Sequence, residues 1–243
     1  MMNAETLISA SEFPPLPSRW FHSFQFPDGE QVDGIKPLAS LRQEADLILG
    51  EDLAGRRVLD IGAWDGFFSF EAERRGAAEV LATDHFCWSG EGWGDKRGFD
   101  HAHARFASGV RSLDLPVEAH RPEELGQFET VLLLGVLYHV KDPYRTLEAA
   151  AAMSTDRLVI ETVTALHHDP VPAMRLFSDL ELDRDPTNFW APNVLAIREM
   201  CARFGFSRVT VLPKSLDHSG WKSVLRRFRR KDAYRRVVVH AQR

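Results

Sequence analysis

The sequence predicts an α/β protein built as three layers, with a doubly wound, mostly parallel sheet of seven strands between two layers of helices. Short apolar segments rich in β-branched residues alternate with segments whose apolar residues recur at helical spacing. This alternation is typical of a parallel sheet covered on both faces. A glycine turn between the first central strand and its helix indicates ligand binding at the carboxyl edge of the sheet.

The predicted strands share an apolar, β-branched character. In chain order they are "RRVLDIG" (56–62), "AEVLATD" (78–84), "LPVEAH" (115–120), "FETVLLLGVLYH" (128–139), "DRLVIET" (156–162), "FSRVTVLP" (206–213) and "RRVVVHAQ" (235–242). The predicted helices cover residues 38–49, 67–75, 101–112, 143–153 and 194–204.

One domain, residues 37–243, is expected to hold these elements, after an extension and flap at 1–36. The first residues are proline-rich. Aromatic residues then alternate with polar ones around Asp28-Gly29, which favours a short hairpin. After Glu161 the regular alternation stops, and we interpret the irregular insertion at 163–192 as a lid over the ligand edge.

The composition narrows the class of protein. A net charge of −5 over 243 residues gives no general attraction to nucleic acid or to anionic membranes. Cys87 and Cys201 lie far apart in the chain and fit a reducing compartment. No apolar run has membrane-spanning length and the amino terminus lacks a signal pattern, so we expect a soluble, cytoplasmic protein. A homodimer is compatible with this composition.

The glycine turn lies in "VLDIGAWDGFF", residues 58–68. Gly62 and Gly66 would let the backbone approach a ligand closely, and Asp84, at the end of the next strand, could bind ribose hydroxyls. Trp64 occupies the position where a dinucleotide-binding turn usually has its central glycine. A strand-turn-helix junction that binds no ligand is the structural alternative.

Two carboxylates in this segment, Asp60 and Asp65, bear on the identity of the ligand. A pyrophosphate needs closely spaced N–H donors and a positive field, so these carboxylates disfavour a dinucleotide. They favour a cation instead. S-adenosylmethionine meets that condition, because it is a nucleoside without phosphate that carries an ammonium and a sulfonium group.

The same segment, together with Asp84, resembles the first two motifs of class I S-adenosylmethionine-dependent methyltransferases. "FETVLLLGVLYHVKDP" and "TNFWAPNVLAIREMCARFGF" are similar to segments of the group that includes the tRNA wobble-uridine carboxymethyltransferase and its relatives. The resemblance runs from about Trp20 to Gln242 and implies a Rossmann-like methyltransferase fold.

The resemblance also implies which residues line the cofactor. They are Asp60, Gly62, Ala63 and Gly66 at the methionine end, Asp84 and His85 at the ribose, Arg121, Pro122 and Glu123 at the adenine, and Leu134, Gly135 and Tyr138 beside the sulfonium. In the carboxymethyltransferase a lysine, a tyrosine and an arginine hold the carboxylate of a modified cofactor. Tyr138 matches the tyrosine and Arg236 the arginine, but "WFHSFQFPDG" offers no lysine. That departure favours unmodified S-adenosylmethionine.

Methyl transfer to a hydroxyl oxygen is an in-line displacement that also releases a proton, so a base is expected near the sulfonium. His139 is the first candidate, since it follows Tyr138 after a buried strand and titrates near neutral pH. Tyr138 and Glu161 complete the predicted catalytic set, and His22 of the flap is a further candidate base. The structural alternatives are a backbone hydrogen bond for His139, a turn cap for Glu161 and aromatic packing for His22.

Aromatic residues are frequent in the flap, in the lid and after the second strand. They could wall an acceptor pocket or pack on the core, and they are Trp20, Phe21, Phe24, Trp88, Trp93, Phe177, Phe189 and Trp190. We assign Trp190, His22 and Arg236 to substrate binding. A divalent metal stays an alternative through Glu161, His167, His168 and Asp169, but their spacing matches no established motif, and no metal ligand is assigned.

The predicted function is methyl transfer from S-adenosylmethionine to an oxygen of a small molecule, such as the hydroxyl of a sugar or a secondary metabolite. Methylation or carboxymethylation of the tRNA wobble uridine is the first alternative. It would use the eight Lys/Arg residues between Lys222 and Arg236 as phosphate contacts, although nucleic acid is disfavoured as a partner. A non-catalytic, cofactor-binding subunit is the second alternative.

Overall fold

The structure, a computed structural model, describes residues 14, 16–17, 19–50, 52–92, 94–213 and 234–243. The strands are β1 (Phe24–Gln25), β2 (Gln31–Val32), β3 (Arg57–Ile61), β4 (Glu79–Asp84), β5 (Arg111–Asp114), β6 (Phe128–Leu134), β7 (Ser154–Thr164), β8 (Met174–Leu176), β9 (Trp190–Pro192), β10 (Arg208–Pro213) and β11 (Arg235–Gln242). The α-helices are α1 (Leu38–Leu49), α2 (Phe67–Arg74), α3 (Arg97–Phe106), α4 (Pro122–Leu125), α5 (Pro143–Met153) and α6 (Val194–Arg203).

Seven strands form one sheet in the order β10-β11-β7-β6-β3-β4-β5. The pairs from β7 to β5 are parallel, whereas β11 runs antiparallel to both β7 and β10. Neighbouring residues of β3 enter different cores: Val58 packs in the cluster that includes α1, α2 and α3, and Leu59 in the cluster that includes α5 and α6. The predicted three-layer α/β fold is therefore confirmed.

The segment between β4 and β6 differs from the prediction. The predicted helix at 101–112 is wrong in its extent, because α3 ends at Phe106 where Ala107 adopts a φ of +48°. The predicted strand "LPVEAH" is also wrong: β5 lies earlier, at Arg111–Asp114, and residues 117–119 form a single turn of 3-10 helix. All residues of β5 are exposed, so this edge strand lacks the apolar pattern that identifies a buried one.

The two strands that lead to the site end at other residues than predicted. The strand predicted at 128–139 ends at Leu134, because Gly135 takes a φ of +73° and turns the chain. β7 continues to Thr164, so Glu161 lies inside this strand and not at its end. The flap contains the predicted hairpin of β1 and β2, and α1 has the predicted bounds.

The lid insertion contains a second small hairpin, β8 with β9, and α6 begins after it with the side chain of Asn193 as its cap. Across the residues that the structure describes, no helix is both long and apolar enough to span a membrane.

Candidate functional site

The carboxyl ends of β3, β4 and β6 meet at one edge of the sheet. Ile61, the last residue of β3, is in register with Thr83 of β4 and Leu133 of β6. The glycine turn after β3, the segment after Asp84 and the segment after Leu134 therefore emerge side by side. This is the edge at which open α/β sheets bind ligands.

The backbone amides of the glycine turn are engaged within the protein. The N–H groups of Gly62 and Ala63 both donate to the carbonyl oxygen of Thr83, at 2.8 and 3.1 Å. The N–H of Gly66 donates to Ala63 O at 2.8 Å. A phosphate needs such donors for itself. A ligand without phosphate at this end fits the turn better, and S-adenosylmethionine is such a ligand.

Trp64 is the non-glycine residue at the centre of the turn. It adopts a left-handed φ of +48°, which costs an L-residue about 1–2 kcal/mol. Its N–H donates to Asp84 Oδ2 at 2.9 Å, and its carbonyl accepts from Trp88 Nε1 at 2.8 Å. Its ring stacks on Phe21, with centroids 4.2 Å apart and planes at 8°. These contacts hold the strained turn and attach the flap to it.

Asp65 also attaches the flap to the turn. Its Oδ2 accepts hydrogen bonds from the backbone N–H groups of Phe21 at 2.7 Å and His22 at 3.0 Å. Burial raises the pKa of Asp65 to about 6, and the two backbone donors reduce the shift. The expectation that Asp65 attracts a cationic ligand is corrected, because this carboxylate binds the flap backbone.

Asp60 and Asp84 are the other buried carboxyl groups near the turn. Asp60 accepts from Ser69 Oγ at 2.6 Å, and burial raises its pKa to about 6. Asp84 accepts from the N–H groups of Trp64 and Cys87, both at 2.9 Å, and burial raises its pKa as well. Each carboxylate oxygen of Asp84 can accept a further hydrogen bond. The residue therefore suits the contact with the ribose that the resemblance in the motifs implies.

Beyond Asp84 lie His85, expected at the ribose, and the residues expected near the adenine. His85 Nδ1 is 2.7 Å from Asp114 Oδ1, which brings the ends of β4 and β5 together. Arg121, just before α4, is exposed and donates to backbone carbonyl groups of residues 118 and 120. Pro122 and Glu123 form the first turn of α4. His120, which no sequence pattern marks as functional, is buried, and its Nε2 lies 3.0 Å from Thr83 Oγ1.

Three predicted residues meet after β6 and form what we term the acceptor cluster: Tyr138, Glu161 and Arg236. Arg236 Nη2 donates to Tyr138 Oη at 2.8 Å, and Nη1 lies 3.2 Å from both carboxylate oxygens of Glu161. Burial disfavours the charge on Arg236, but Glu161 and Tyr138 outweigh that effect and raise its pKa. Burial raises the pKa of Tyr138. The cluster thus combines a neutral phenol with a balanced ion pair.

Gly135 and Leu134 place the backbone next to the acceptor cluster. Leu134 is in register with Glu161, and the N–H of Gly135 donates to Glu161 O at 3.0 Å. A Cβ on Gly135 would lie 3.6 Å from Tyr138 Oη and 3.8 Å from Glu161 Oε2. Such distances are ordinary van der Waals contacts, so it is the φ of +73°, and not a lack of space, that favours glycine at this turn beside the cluster.

The insertion at 163–192 contacts the segment after Gly135. Phe189 N–H donates to Tyr138 O at 2.8 Å, and Trp190 Nε1 donates to Lys141 O at 3.2 Å. His139 Nδ1 lies 3.1 Å from Thr187 O and 3.0 Å from Thr187 Oγ1. Burial lowers the pKa of His139, so its imidazole is neutral at pH 7. Thr187 was missed, because no local pattern reveals a contact across 48 residues.

The remaining residues that the sequence singles out lie outside the acceptor cluster or outside the described part of the structure. His22 belongs to the flap and is buried against the start of α2, with its ring centroid 6.1 Å from those of Phe67 and Phe68. His168 is exposed in the turn after β7, and within the described ranges no group of three or more His, Cys, Asp or Glu side chains is arranged to hold a metal. Trp93 and residues 222–233 of the basic run lie outside the described residues.

Comparison with known proteins extends this picture. A family model described as "Methyltransferase domain" matches residues 35–211. A tRNA U34 carboxymethyltransferase of Sulfurimonas denitrificans is 27% identical over 175 residues, which cover 69% of this chain and 54% of that protein. The enzyme of the same name from Pseudomonas savastanoi pv. phaseolicola is 30% identical over 169 residues, 65% of this chain and 47% of that protein. The chain thus spans about half the length of these relatives.

Solved structures share the fold at low identity. The N-terminal domain of EvdMO1, determined in the presence of S-adenosylhomocysteine and D-fucose, has a TM-score of 0.61 and 20% identity, and the match covers 93% of this chain and 91% of that one. Magnesium protoporphyrin IX methyltransferase from Synechocystis PCC 6803, with bound S-adenosylmethionine, has a TM-score of 0.55 and 15% identity, with coverages of 84% and 79%. The resemblance in the motifs is confirmed: the chain belongs to the methyltransferase domain family, and its fold is that of S-adenosylmethionine-dependent methyltransferases.

Proposed function

We propose that this methyltransferase transfers the methyl group of unmodified S-adenosylmethionine to a hydroxyl oxygen of a small molecule, with His139 as the base. The observation that carries the proposal is the position of His139. A neutral imidazole, held through Nδ1, directly follows Tyr138 of the acceptor cluster. A hydroxyl acceptor must lose a proton during transfer, and a positioned base contributes about 10²–10⁴-fold.

The residues divide the work between binding and proton transfer. When bound, S-adenosylmethionine supplies an electrophilic methyl group. Asp84 holds the ribose hydroxyls, and Gly135 turns the backbone beside the sulfonium. Tyr138 and Arg236 orient the acceptor, and His139 Nε2 takes its hydroxyl proton. Alignment of acceptor and methyl group can contribute up to about 7–11 kcal/mol.

Charge supports a neutral acceptor and an unmodified cofactor. Glu161 balances the charge of Arg236, so an added carboxylate would meet a site of little net charge. The flap segment "WFHSFQFPDG" has no lysine to restore a positive field. The likeness to the EvdMO1 domain, determined in the presence of D-fucose, supports a sugar as the acceptor class.

Carboxymethylation or methylation of tRNA is the second candidate. The curated relatives carry that name, and the contact of Arg236 with Tyr138 at 2.8 Å joins two of the three residues that resemble the carboxylate-binding set. This function would require tRNA binding that weakens steeply with salt.

The test is a turnover assay on the full chain with isotopically methyl-labelled S-adenosylmethionine. The acceptors are a panel of deoxysugars and hydroxylated small molecules, with tRNA in parallel. We expect label in an ether of a small molecule, and its loss in His139→Gln with retained binding of S-adenosylhomocysteine. Label in tRNA would instead support the second candidate, and cofactor binding without turnover on any acceptor would favour a non-catalytic subunit.

A further inference from the structure

A hydrogen-bonded chain links the lid to His139. Thr187 Oγ1 donates to Asp185 Oδ1 at 2.7 Å, and Asp185 Oδ1 also accepts from Thr187 N–H at 2.9 Å. On its other side Thr187 Oγ1 lies 3.0 Å from His139 Nδ1, and Thr187 O lies 3.1 Å from the same nitrogen. Hydrogen bonds therefore connect Asp185 to Thr187 and Thr187 to His139 without a break.

The chemistry of these groups determines where the imidazole proton lies. A backbone carbonyl can only accept, so Thr187 O requires a hydrogen on His139 Nδ1. The threonine hydroxyl has a single proton, and the carboxylate of Asp185 takes it. The hydroxyl therefore presents a lone pair to His139, and both contacts require a hydrogen on Nδ1. A neutral imidazole with its hydrogen on Nδ1 has its basic lone pair on Nε2.

We propose that Thr187, held by Asp185, is a positioning residue that fixes His139 in the Nδ1–H tautomer and so makes Nε2 the proton acceptor of methyl transfer. The catalytic part of this inference rests on the proposed function. The tautomer assignment does not, because it follows from the contacts of His139 Nδ1 with Thr187 O and Thr187 Oγ1.

The proton and the electrons balance in this scheme. The hydroxyl oxygen forms a bond to the methyl carbon, the bond from that carbon to sulfur breaks, and its electron pair stays on sulfur. The hydroxyl proton moves to His139 Nε2. The resulting imidazolium donates from Nδ1 to Thr187, and the negative charge of Asp185 lies on the far side of the threonine hydroxyl.

Other charges around His139 act in both directions. Asp185 and Glu161 stabilise an imidazolium, whereas Arg236 opposes it. The neutral phenol of Tyr138 has its ring centroid 4.2 Å from that of His139, and the ring of Phe86 stacks at 6.5 Å. Removal of the charge of Asp185 should therefore make the imidazole less basic.

The direct test is ¹⁵N NMR of the full chain labelled at histidine, with the His139 signals assigned by comparison with His139→Gln. We expect the wild type to show the Nδ1–H tautomer. Thr187→Val and Asp185→Ala should raise the share of the Nε2–H tautomer, because in these variants only the Thr187 carbonyl still requires the hydrogen on Nδ1, whereas Thr187→Ser should keep the wild-type signals. Asp179→Ala is the matched control, because it removes an exposed carboxylate of the same insertion that takes no part in the hydrogen bonds between Asp185, Thr187 and His139. A wild-type Nε2–H tautomer, or an unchanged spectrum in Thr187→Val, would overturn the proposal.

Kinetics on the accepted substrate give the second readout. Thr187→Val should lower kcat about 10-fold or more while the Kd for S-adenosylhomocysteine stays the same, since full loss of a base costs about 10²–10⁴-fold. In Asp185→Asn the acidic limb of the pH profile should move to lower pH. A loss of cofactor affinity equal to the loss of kcat would contradict a positioning role. The NMR result stands apart from turnover, so failure of the proposed function and failure of the tautomer assignment are distinguishable.

Discussion

The site has two sides: the glycine turn with Asp65 and Asp84, and the acceptor cluster around Arg236. The charged side chains on these two sides find their hydrogen-bond partners in different ways. On the first side, Asp65 and Asp84 accept from backbone N–H groups of residues fixed by the turn and the flap. On the second, Arg236 pairs with side chains, and its partner Tyr138 lies 98 residues away in sequence. Backbone donors come with the fold, whereas paired side chains depend on one another. We therefore expect substitutions on the acceptor side to have the larger effects on stability.

The largest effect is expected for Arg236→Met. It removes the guanidinium that balances Glu161, whose side chain is only 4% exposed. Loss of one partner of such a pair costs about 3–5 kcal/mol. The free energy of unfolding in urea measures this loss, and the double variant Arg236→Met/Glu161→Gln should recover most of it. Equal stability of the single and double variants would show that the pair is not coupled.

Asp65→Asn tests the glycine-turn side through pH. The pKa of Asp65 is raised from 3.8 to about 6, so its stabilising contribution is complete below about pH 4 and is lost as pH rises through about 6. A shift of about two units corresponds to about 3 kcal/mol. The variant should show a correspondingly smaller fall in unfolding free energy between pH 4 and pH 7. Asp33→Asn, at an exposed flap position, should follow the wild type.

Asp84→Asn should lower ligand affinity and also destabilise the turn, because the amide NH2 replaces an oxygen that accepts from the N–H of Trp64 or Cys87. The substitution removes the charge that would bind the ribose hydroxyls, and a hydrogen bond to a charged group contributes about 1.5–3 kcal/mol. We expect the Kd for S-adenosylhomocysteine, measured by calorimetry, to rise about 10- to 100-fold. Asp95→Asn, at a carboxylate that hydrogen-bonds to Arg97, is the control. Unchanged affinity in Asp84→Asn would refute the ribose assignment.

The smallest effect is expected where the flap meets the turn. Phe21→Leu removes the stacked contact with Trp64, and such aromatic pairs contribute about 0.5–1.5 kcal/mol beyond buried area. Urea unfolding should show a loss of about 1 kcal/mol, and Phe21→Tyr, which keeps the ring, should show little change. A loss as large as that of Arg236→Met would mean that the flap, and not the acceptor cluster, limits stability.

The two sides also differ in how far the sequence predicts them. The glycine turn and the helix after it directly follow a strand with a clear apolar pattern, and Asp84 ends another such strand. Their place at the edge of the sheet was therefore predictable. β5 was not, because an exposed edge strand has no apolar alternation. Asp65 was assigned to the ligand because nothing in its neighbourhood reveals that the backbone of Phe21 and His22 reaches it.

On the acceptor side, Tyr138 was predictable because it follows a buried strand. Arg236 was predictable only because it matches a residue of the similar carboxymethyltransferases. Thr187 and Asp185 lie in an irregular stretch of the lid, where no period marks one residue above another. Their contact with His139 arises from the tertiary fold alone.

A crystal structure of the full chain with S-adenosylhomocysteine tests the central claim most directly, since it shows which side chains face the position of the transferred methyl group. We predict that the ribose hydroxyls lie on Asp84 and that the sulfur faces Gly135, with His139 Nε2 directed toward the same space. A ribose bound away from Asp84, or a sulfur separated from His139 by the acceptor cluster, would contradict the account.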